Sequence, residues 1–352
     1  MAVLLDSVLM KAKFRGCMLG TLMGDCLGAP FEGDPGSRAI VQKYFDKIDG
    51  EYTKSPIKMY TDDTAMTKSI AKCLIDKPPF DYKYLAKLFV KEYFKERRRG
   101  YGPGVTQVFN KLRSYKYEDI YKPAKEQFEG TGSYGNGGAM RISPIPLFFA
   151  NNYDALIEAV VKSTEITHTH TLGVNGSILQ AIAIHQGLML HPEEKADYKV
   201  FIEKLIGKMK KFEGGEIKDI DDPSPYQSQL KRIQKLFEIE KPNEPVSDDE
   251  VVACLGNSIS ALHSVPTAIY CYLRAQNDIP DLKADNPFRR SIQYAISLGG
   301  DTDTIAAMTG SIAGAHYGER FVSENMKKHC EFVKEMVELA DDLFKVSDLG
   351  GK

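Results

Sequence analysis

Apolar residues along this chain recur far more often with helical spacing than with the alternation of a strand. Leu4 to Gly20, Thr64 to Leu74, Tyr84 to Phe94, Leu156 to Ser163, Leu172 to Leu190, Phe201 to Phe212, Val251 to Ala275, Phe288 to Ser297 and Ile305 to Ala315 all carry them at the period of an α-helix. Alternating stretches closed by hairpin dipeptides are nearly absent. The pattern predicts an all-α fold of many short to medium helices, with any sheet trivial. Several runs are lined by Gly, Ala and Ser, as in Cys17 to Gly24 and Gly310 to Ala315. Faces this small let two backbones approach closely, which suits the central helices of a globule. A membrane reading of the same spacing fails on flanking charge and on length, since no apolar run approaches the ~20 residues that cross a bilayer.

At 352 residues the chain could form two domains or one large core. Nothing resembling a linker divides it, so residues 1–352 are expected to form a single domain. The most irregular stretch, Lys210 to Ser247, is rich in Gly, Pro and acids and reads as polar peripheral helix and loop. Lys and Arg number 46 and Asp and Glu 48, so a net charge of -2 gives no general pull toward DNA. The basic run Lys95 to Arg99 reads as a solvated helix end. Because Gly100-Tyr101-Gly102-Pro103-Gly104 follows, it could also face a diphosphate. Cys17, Cys26, Cys73, Cys254, Cys271 and Cys330 show no paired spacing and most sit in apolar context, which reads as free thiols in a reducing compartment. The first residues mix in too many charges for a secretory segment and lack the bias of a transit peptide. A soluble intracellular protein is expected.

The chemistry concentrates between the helices. Asp301-Thr302-Asp303-Thr304 follows Gly299-Gly300 and leads into an apolar run, and Thr61-Asp62-Asp63-Thr64 does the same far upstream. Asp and Thr in such places are also ordinary helix caps. A cap needs one oxygen, however, whereas each cluster carries two charges whose repulsion asks for a cation. Ligation by oxygen alone favours Mg, Mn or Ca over Zn.

Gly130 to Arg141 is the richest loop. It contains G-x-G-x-x-G at Gly130 to Gly135, but no strand precedes it and no Lys-Ser/Thr follows, so neither a Rossmann nor a P-loop assignment holds. A glycine-dense turn running into a helix would still present amides to a phosphate, although glycines also serve tight turns alone. Tyr134 amid the glycines points to ligand contact. His168 and His170 fall at a helix junction, where one could stack on a base or sugar, act as an acid or base, or simply be buried and hydrogen-bonded.

Gly24-Asp25-Cys-Leu-Gly28-Ala-Pro-Phe-Glu32, Tyr60 to Thr64, Gly135 to Arg141, Thr167-His168 with Asn175-Gly176, and Leu298 to Thr304 together resemble the ADP-ribosylglycohydrolases in order and spacing. The resemblance runs from about Phe14 to Tyr317 and implies an all-α enzyme with two Mg ions. Gly132 to Gly138 and Ser264 to Cys271 look most like the branch that removes ADP-ribose from serine and trims poly(ADP-ribose); the arginine-linkage branch is less similar there. The resemblance implies that Thr61, Asp62, Asp63, Asp301, Asp303 and Thr304 hold the metals. Glu32, on a mobile loop, is implied as both metal-associated and catalytic. Asp62, Gly102, Phe128, Thr131, Gly132, Ser133, Tyr134, Gly135, Asn136, Gly137, His168 and Ile259 would surround ADP-ribose, with His168 favoured over His170. ADP-ribosylated proteins, poly(ADP-ribose) and ADP-ribose are the implied partners, for a monomer in nucleus and cytoplasm, with the mitochondrial matrix a further compartment. The alternatives are an arginine-linkage hydrolase, a generic metal phosphohydrolase, and a catalytically dead binding or structural protein like the lens crystallins that resemble this family.

Overall fold

Helix starts in this chain are written by short polar side chains. In the computed structural model, which describes residues 7–50, 56–217, 220–241 and 245–350, Asp81 Oδ1 accepts from the Tyr84 amide at 2.9 Å. Asn152 and Asn286 do the same for later helices. Ser247 and Glu250 form a reciprocal capping box.

The helices are α1 (Ser7–Gly28), α2 (Arg38–Asp49), α3 (Asp62–Asp76), α4 (Tyr82–Lys95), α5 (Pro103–Ser114), α6 (Lys122–Lys125), α7 (Pro144–Phe148), α8 (Tyr153–Glu165) and α9 (Thr171–Met189). They continue as α10 (Tyr198–Met209), α11 (Pro225–Ile239), α12 (Asp248–Leu255), α13 (Ala261–Arg274), α14 (Pro287–Ser297), α15 (Thr302–Tyr317), α16 (Glu324–Lys327) and α17 (Val333–Val346). Among the described residues only isolated β-bridges occur, so the fold is all-α as expected.

Helix α15 is buried on every side, and α1 and α9 nearly so, which marks them as the centre. Their small residues set the geometry. A Cβ added at Gly16, Gly20, Gly24 or Gly28 of α1 would lie 2.5, 1.9, 2.1 or 2.6 Å from a carbonyl oxygen of Gly314, Gly310, Ala306 or Thr302. The pairs descend in step, so α1 and α15 run antiparallel with backbones in contact. The C-terminal end of α1 therefore sits against the N-terminal end of α15, where Asp301 and Asp303 lie. Helices α3 and α17 cover one side of α1, while α13 and α14 cover α15.

The periodic run Val251 to Ala275 is two helices, not one. Gly256 at φ 87 ends α12, and residues 257–260 form a loop before α13. The Lys210 to Ser247 stretch holds a full amphipathic helix, α11, whose Tyr226, Leu230, Ile233 and Leu236 are buried. Its Lys218, Asp219 and Pro242 to Glu244 lie outside the described residues, as do Leu4 to Asp6 of the first expected helix. Arg99 is no solvated helix end: it is 8% exposed and ion-paired. No helix among the described residues is long and apolar enough to cross a membrane. Five of the six free cysteines are buried, and Cys254 is half-buried.

Candidate metal centre and adjoining cleft

The site begins with Asp25, a fully buried acid near the end of α1. Its carboxylate accepts from the Thr61 amide at 2.9 and 3.0 Å and from the Thr64 amide at 3.0 Å. A side chain from one helix thereby caps another. Thr61 adds its own cap, Oγ1 accepting from the Asp63 amide at 3.4 Å. With the Asp63 and Thr64 amides of α3 answered by these two residues, the Asp63 carboxylate is not needed as a cap.

At α15 the cap explanation fails more plainly. Asp301 occupies the N-cap position, yet its side chain makes no capping bond. Its carboxylate instead accepts from Asn136 Nδ2 at 2.5 Å. Gly299 and Gly300, at φ 70 and 74, pack so tightly that a Cβ would fall 2.6 Å from the Gly36 nitrogen and 2.2 Å from the Asn257 carbonyl. The Gly33 amide donates to Gly300 O at 3.0 Å, which seats the Glu32 turn beside Asp301. Carboxylate oxygens of Glu32, Asp301 and Asp303 consequently lie within 4.8 Å of one another. The two halves are joined through Asp63, whose Oδ2 accepts from Thr61 Oγ1 at 3.1 Å and from Thr304 Oγ1 at 3.4 Å.

The electrostatics of this cluster are those of acids short of positive charge. Burial, then Asp25, pushes Asp62 up to about 8; burial, then Asp301, pushes Asp303 up to about 9. Burial also raises Asp63 well above the carboxylate range and raises Asp301, while burial and Asp301 raise Glu32. Asp25 is raised by burial to about 6 against the pull of its amide donors. None of these six acids forms an ion pair among the described residues. Asp63 Oδ1 is buried without a hydrogen-bond partner. An oxygen-only set of this kind, with an unanswered buried carboxylate oxygen, fits a hard divalent cation. The cation the chain itself supplies nearby, Arg141, is fully buried, lowered by burial to about 9, and committed to Ser163 O and Thr167 Oγ1.

The glycine-rich loop borders the acids through Asn136, which also donates to Ser264 Oγ at 3.1 Å. It does not run into an α-helix as expected: only a single 3-10 turn, Asn136–Gly138, follows. Gly130 and Gly132 take φ 88 and 75. Ser133 Oγ accepts from the Gly135 amide at 3.3 Å, and Thr131 Oγ1 donates to Phe128 O at 2.8 Å. Phe128 and Glu129 adopt left-handed φ of 51 and 54, a strain that presents an exposed Phe128 ring. Tyr134 and Ile259 are exposed too, and the Asn136 amide donates to Ile259 O at 2.9 Å, so these apolar groups flank one loop. Gly104 approaches the Phe128 ring, and a cleft of about 350 Å³ lined by Pro103, Gly104, Gln107, Val108, Gln127 and Phe128 opens there. Gly102, the N-cap of α5, has open space where a Cβ would be.

His168 lies beneath this loop, not over it. A Cβ on Gly137 would come 2.7 Å from its ring. Its Nδ1 is 2.7 Å from Thr167 Oγ1, and burial, helped by Arg141, lowers its pKa to about 3. The ring is therefore a neutral wedge under Gly135 and Gly137. His170 caps α9 through Leu172 and meets Tyr134 edge-on at 6.1 Å.

Asp25 was missed by reading clusters of acids, because it is a lone carboxylate in an apolar run. Its signal was its place directly after Gly24, in a motif whose glycines force the close helix pair.

The profile of the ADP-ribosylglycohydrolase family matches residues 6–351. The chain belongs to that family. It is 42% identical over 348 residues to the protein named ADP-ribosylhydrolase ARH3 from Mus musculus, with 95% of this chain and 92% of the relative covered. Identity to the Homo sapiens protein of the same name is 41%, with 95% and 93% covered. A solved ADP-ribosylglycohydrolase-related protein complex superposes with a TM-score of 0.67 over 97% of this chain and 99% of its own, at 21% identity, a likeness of fold. In this ADP-ribosylglycohydrolase the acids converge where α1 and α15 cross the start of α3.

Proposed function

We propose that this protein hydrolyses the O-glycosidic bond between ADP-ribose and serine side chains of proteins, and trims poly(ADP-ribose), using two magnesium ions at the acidic centre. The observation that carries this reading is the meeting of Glu32 with Asp301 and Asp303, set against 42% identity to an ADP-ribosylhydrolase. Thr61, Asp62, Asp63, Asp301, Asp303, Thr304 and Glu32 would hold the ions. Bound there, such ions supply charge that orients the ribose diol and lowers the pKa of water.

The chain's own residues do the rest. Breaking the bond from the anomeric carbon to oxygen builds oxocarbenium character, and the departing serine oxygen gains the proton that the attacking water loses. Glu32 would move that proton, a reading supported by its exposure and raised pKa. Thr131 to Gly137 and Gly102 would line the diphosphate without added charge, with Ser133, Tyr134 and Gly137 offering the amides, since those of Thr131, Gly132, Gly135 and Asn136 are donated within the protein. Phe128, Tyr134 and Ile259 would hold adenine and ribose, with Asp62 reaching the distal ribose. His168, neutral at physiological pH, would shape the loop. The protein would work as a monomer in nucleus, cytoplasm and mitochondrial matrix, with no direct contact to DNA.

The test is release of free ADP-ribose from a serine-linked and an arginine-linked peptide, each with magnesium and with EDTA. Magnesium-dependent release from the serine peptide alone is expected. Release from the arginine peptide alone would reassign the linkage. Release from neither, with ADP-ribose still bound, would make the protein a binder.

A further inference from the structure

Directly ahead of the Thr61–Asp63 turn, Tyr60 is enclosed by charge. Its amide donates to Glu331 Oε1 at 2.8 Å, its carbonyl accepts from Arg99 Nη1 at 2.8 Å, and its hydroxyl accepts from Lys68 Nζ at 2.7 Å. The Arg99 guanidinium lies 3.8 Å from the ring centroid and Lys68 Nζ lies 4.8 Å from it. Phe332 meets the ring edge at 5.6 Å. Arg99 is itself buried and pairs with Glu96 and Glu331. A fork that bridges a carbonyl and a carboxylate while lying over a ring is a geometry that lysine cannot reproduce.

The residue that follows this arginine packs against the acidic centre. Gly100, next in the chain, has φ 84, and a Cβ there would come 3.4 Å from Asp62 Oδ1 and 3.6 Å from Thr61 Cβ. Glu331 is anchored in turn: the Lys58 amide donates to His329 O at 2.7 Å, and the Glu331 amide donates to Lys58 O at 3.1 Å. The segment before the ligand turn, the loop after α4 and the stretch before α17 thus meet on one guanidinium. Thr61 is the next residue after Tyr60, and its amide and hydroxyl bind Asp25 and Asp63. A shift of Tyr60 passes straight into the ligand oxygens.

We infer that Arg99, gripping Tyr60 and Glu331, is a positioning residue that sets the geometry of Thr61, Asp62 and Asp63 and thereby the divalent-ion affinity of this half of the centre. The inference rests on the metal reading above. Arg97, which lies over the Phe94 ring at 4.6 Å, provides a control on the same segment.

The experiment is calorimetric titration of EDTA-stripped protein with MgCl2, alongside melting of the stripped protein. Arg99→Met is expected to bind magnesium about 10–100-fold more weakly, the usual effect of removing a group that orients ligands. Arg99→Lys should recover part of the loss, and Arg97→Met should match wild type. If Arg99→Met does not fold, Glu331→Gln keeps the shape, removes the partner charge, and should show a loss in the same direction. A folded Arg99→Met, or Glu331→Gln in its place, with a wild-type isotherm and only a lower melting temperature would make Arg99 structural and overturn the inference. Wild-type protein that takes up no divalent ion would remove the metal reading and this one together.

Discussion

Replacing Gly24 with Ala tests whether the contact between α1 and α15 is what places the acids. The new Cβ would lie 2.1 Å from Ala306 O, 2.2 Å from its carbon and 2.4 Å from the Ala307 nitrogen. Heavy atoms pack comfortably at about 3.5 Å, so the shortfall is roughly 1.4 Å. All three neighbours are helix backbone and cannot rotate away, so the two central helices must part by about an ångström. Overpacking of well-filled interiors costs about 1–3 kcal/mol and sometimes more, and this case belongs at the top of that range. Alanine's better helix propensity returns about 1 kcal/mol. The net expectation is a loss of about 2 kcal/mol or more, with weakened magnesium binding, because Asp25 is the next residue. Gly207 supplies the control: it too is inside a helix, is exposed, and has nothing within 4 Å of an added Cβ. Gly207→Ala should stabilise by about 0.5–1 kcal/mol. Urea unfolding of the two variants against wild type gives the signs directly. A Gly24→Ala protein as stable as wild type, with intact metal binding, would refute the account of the helix pair.

Glu32→Gln should keep ADP-ribose binding while hydrolysis falls by orders of magnitude; unchanged turnover would remove Glu32 from the chemistry. Asn136→Ala deprives Asp301 of its 2.5 Å donor and should weaken magnesium binding about 10-fold or more, read by calorimetry, with adjacent loop contacts to ADP-ribose also loosened. Stripped of metal, the folded protein holds protons on Asp62 up to about pH 8 and on Asp303 up to about pH 9, whereas the unfolded chain sheds them near pH 4. The stabilising contribution is therefore full below about pH 4 and lost as pH rises through 8 to 9. Melting in EDTA should drop from pH 6 to pH 9, and added magnesium should restore more at pH 8 than at pH 6; a rise over that window in EDTA would contradict the charge-starved centre.

The helical class was legible because period 3.6 is a local signal, and α3, α4, α8, α9, α14 and α15 all fall where the apolar spacing puts them. Helices α2, α5, α11 and α17 were harder to read, since each shows the core one narrow stripe within an otherwise charged sequence. The split at Gly256 had a local signal, Gly256-Asn257-Ser258, hidden by the apolar period on either side of it. The tertiary fit of Gly256 against His263, and of Gly300 against Asn257, accompanies the turn.

The ambiguity between cap and ligand shows where sequence reading reaches its limit. At Thr61 a cap is present and does not exhaust the cluster, because Thr61 and the distant Asp25 answer the amides of Asp63 and Thr64 and leave the Asp63 carboxylate to face the other acids. At Asp301 the cap answer alone fails, because the side chain turns away from its own helix toward Asn136. Neither outcome is settled by the residues within the cluster alone. Each depends on a partner more than thirty positions away, brought near by a ladder of glycines whose spacing was visible but whose mate was not. The acids are crowded in this protein because the backbones beneath them are.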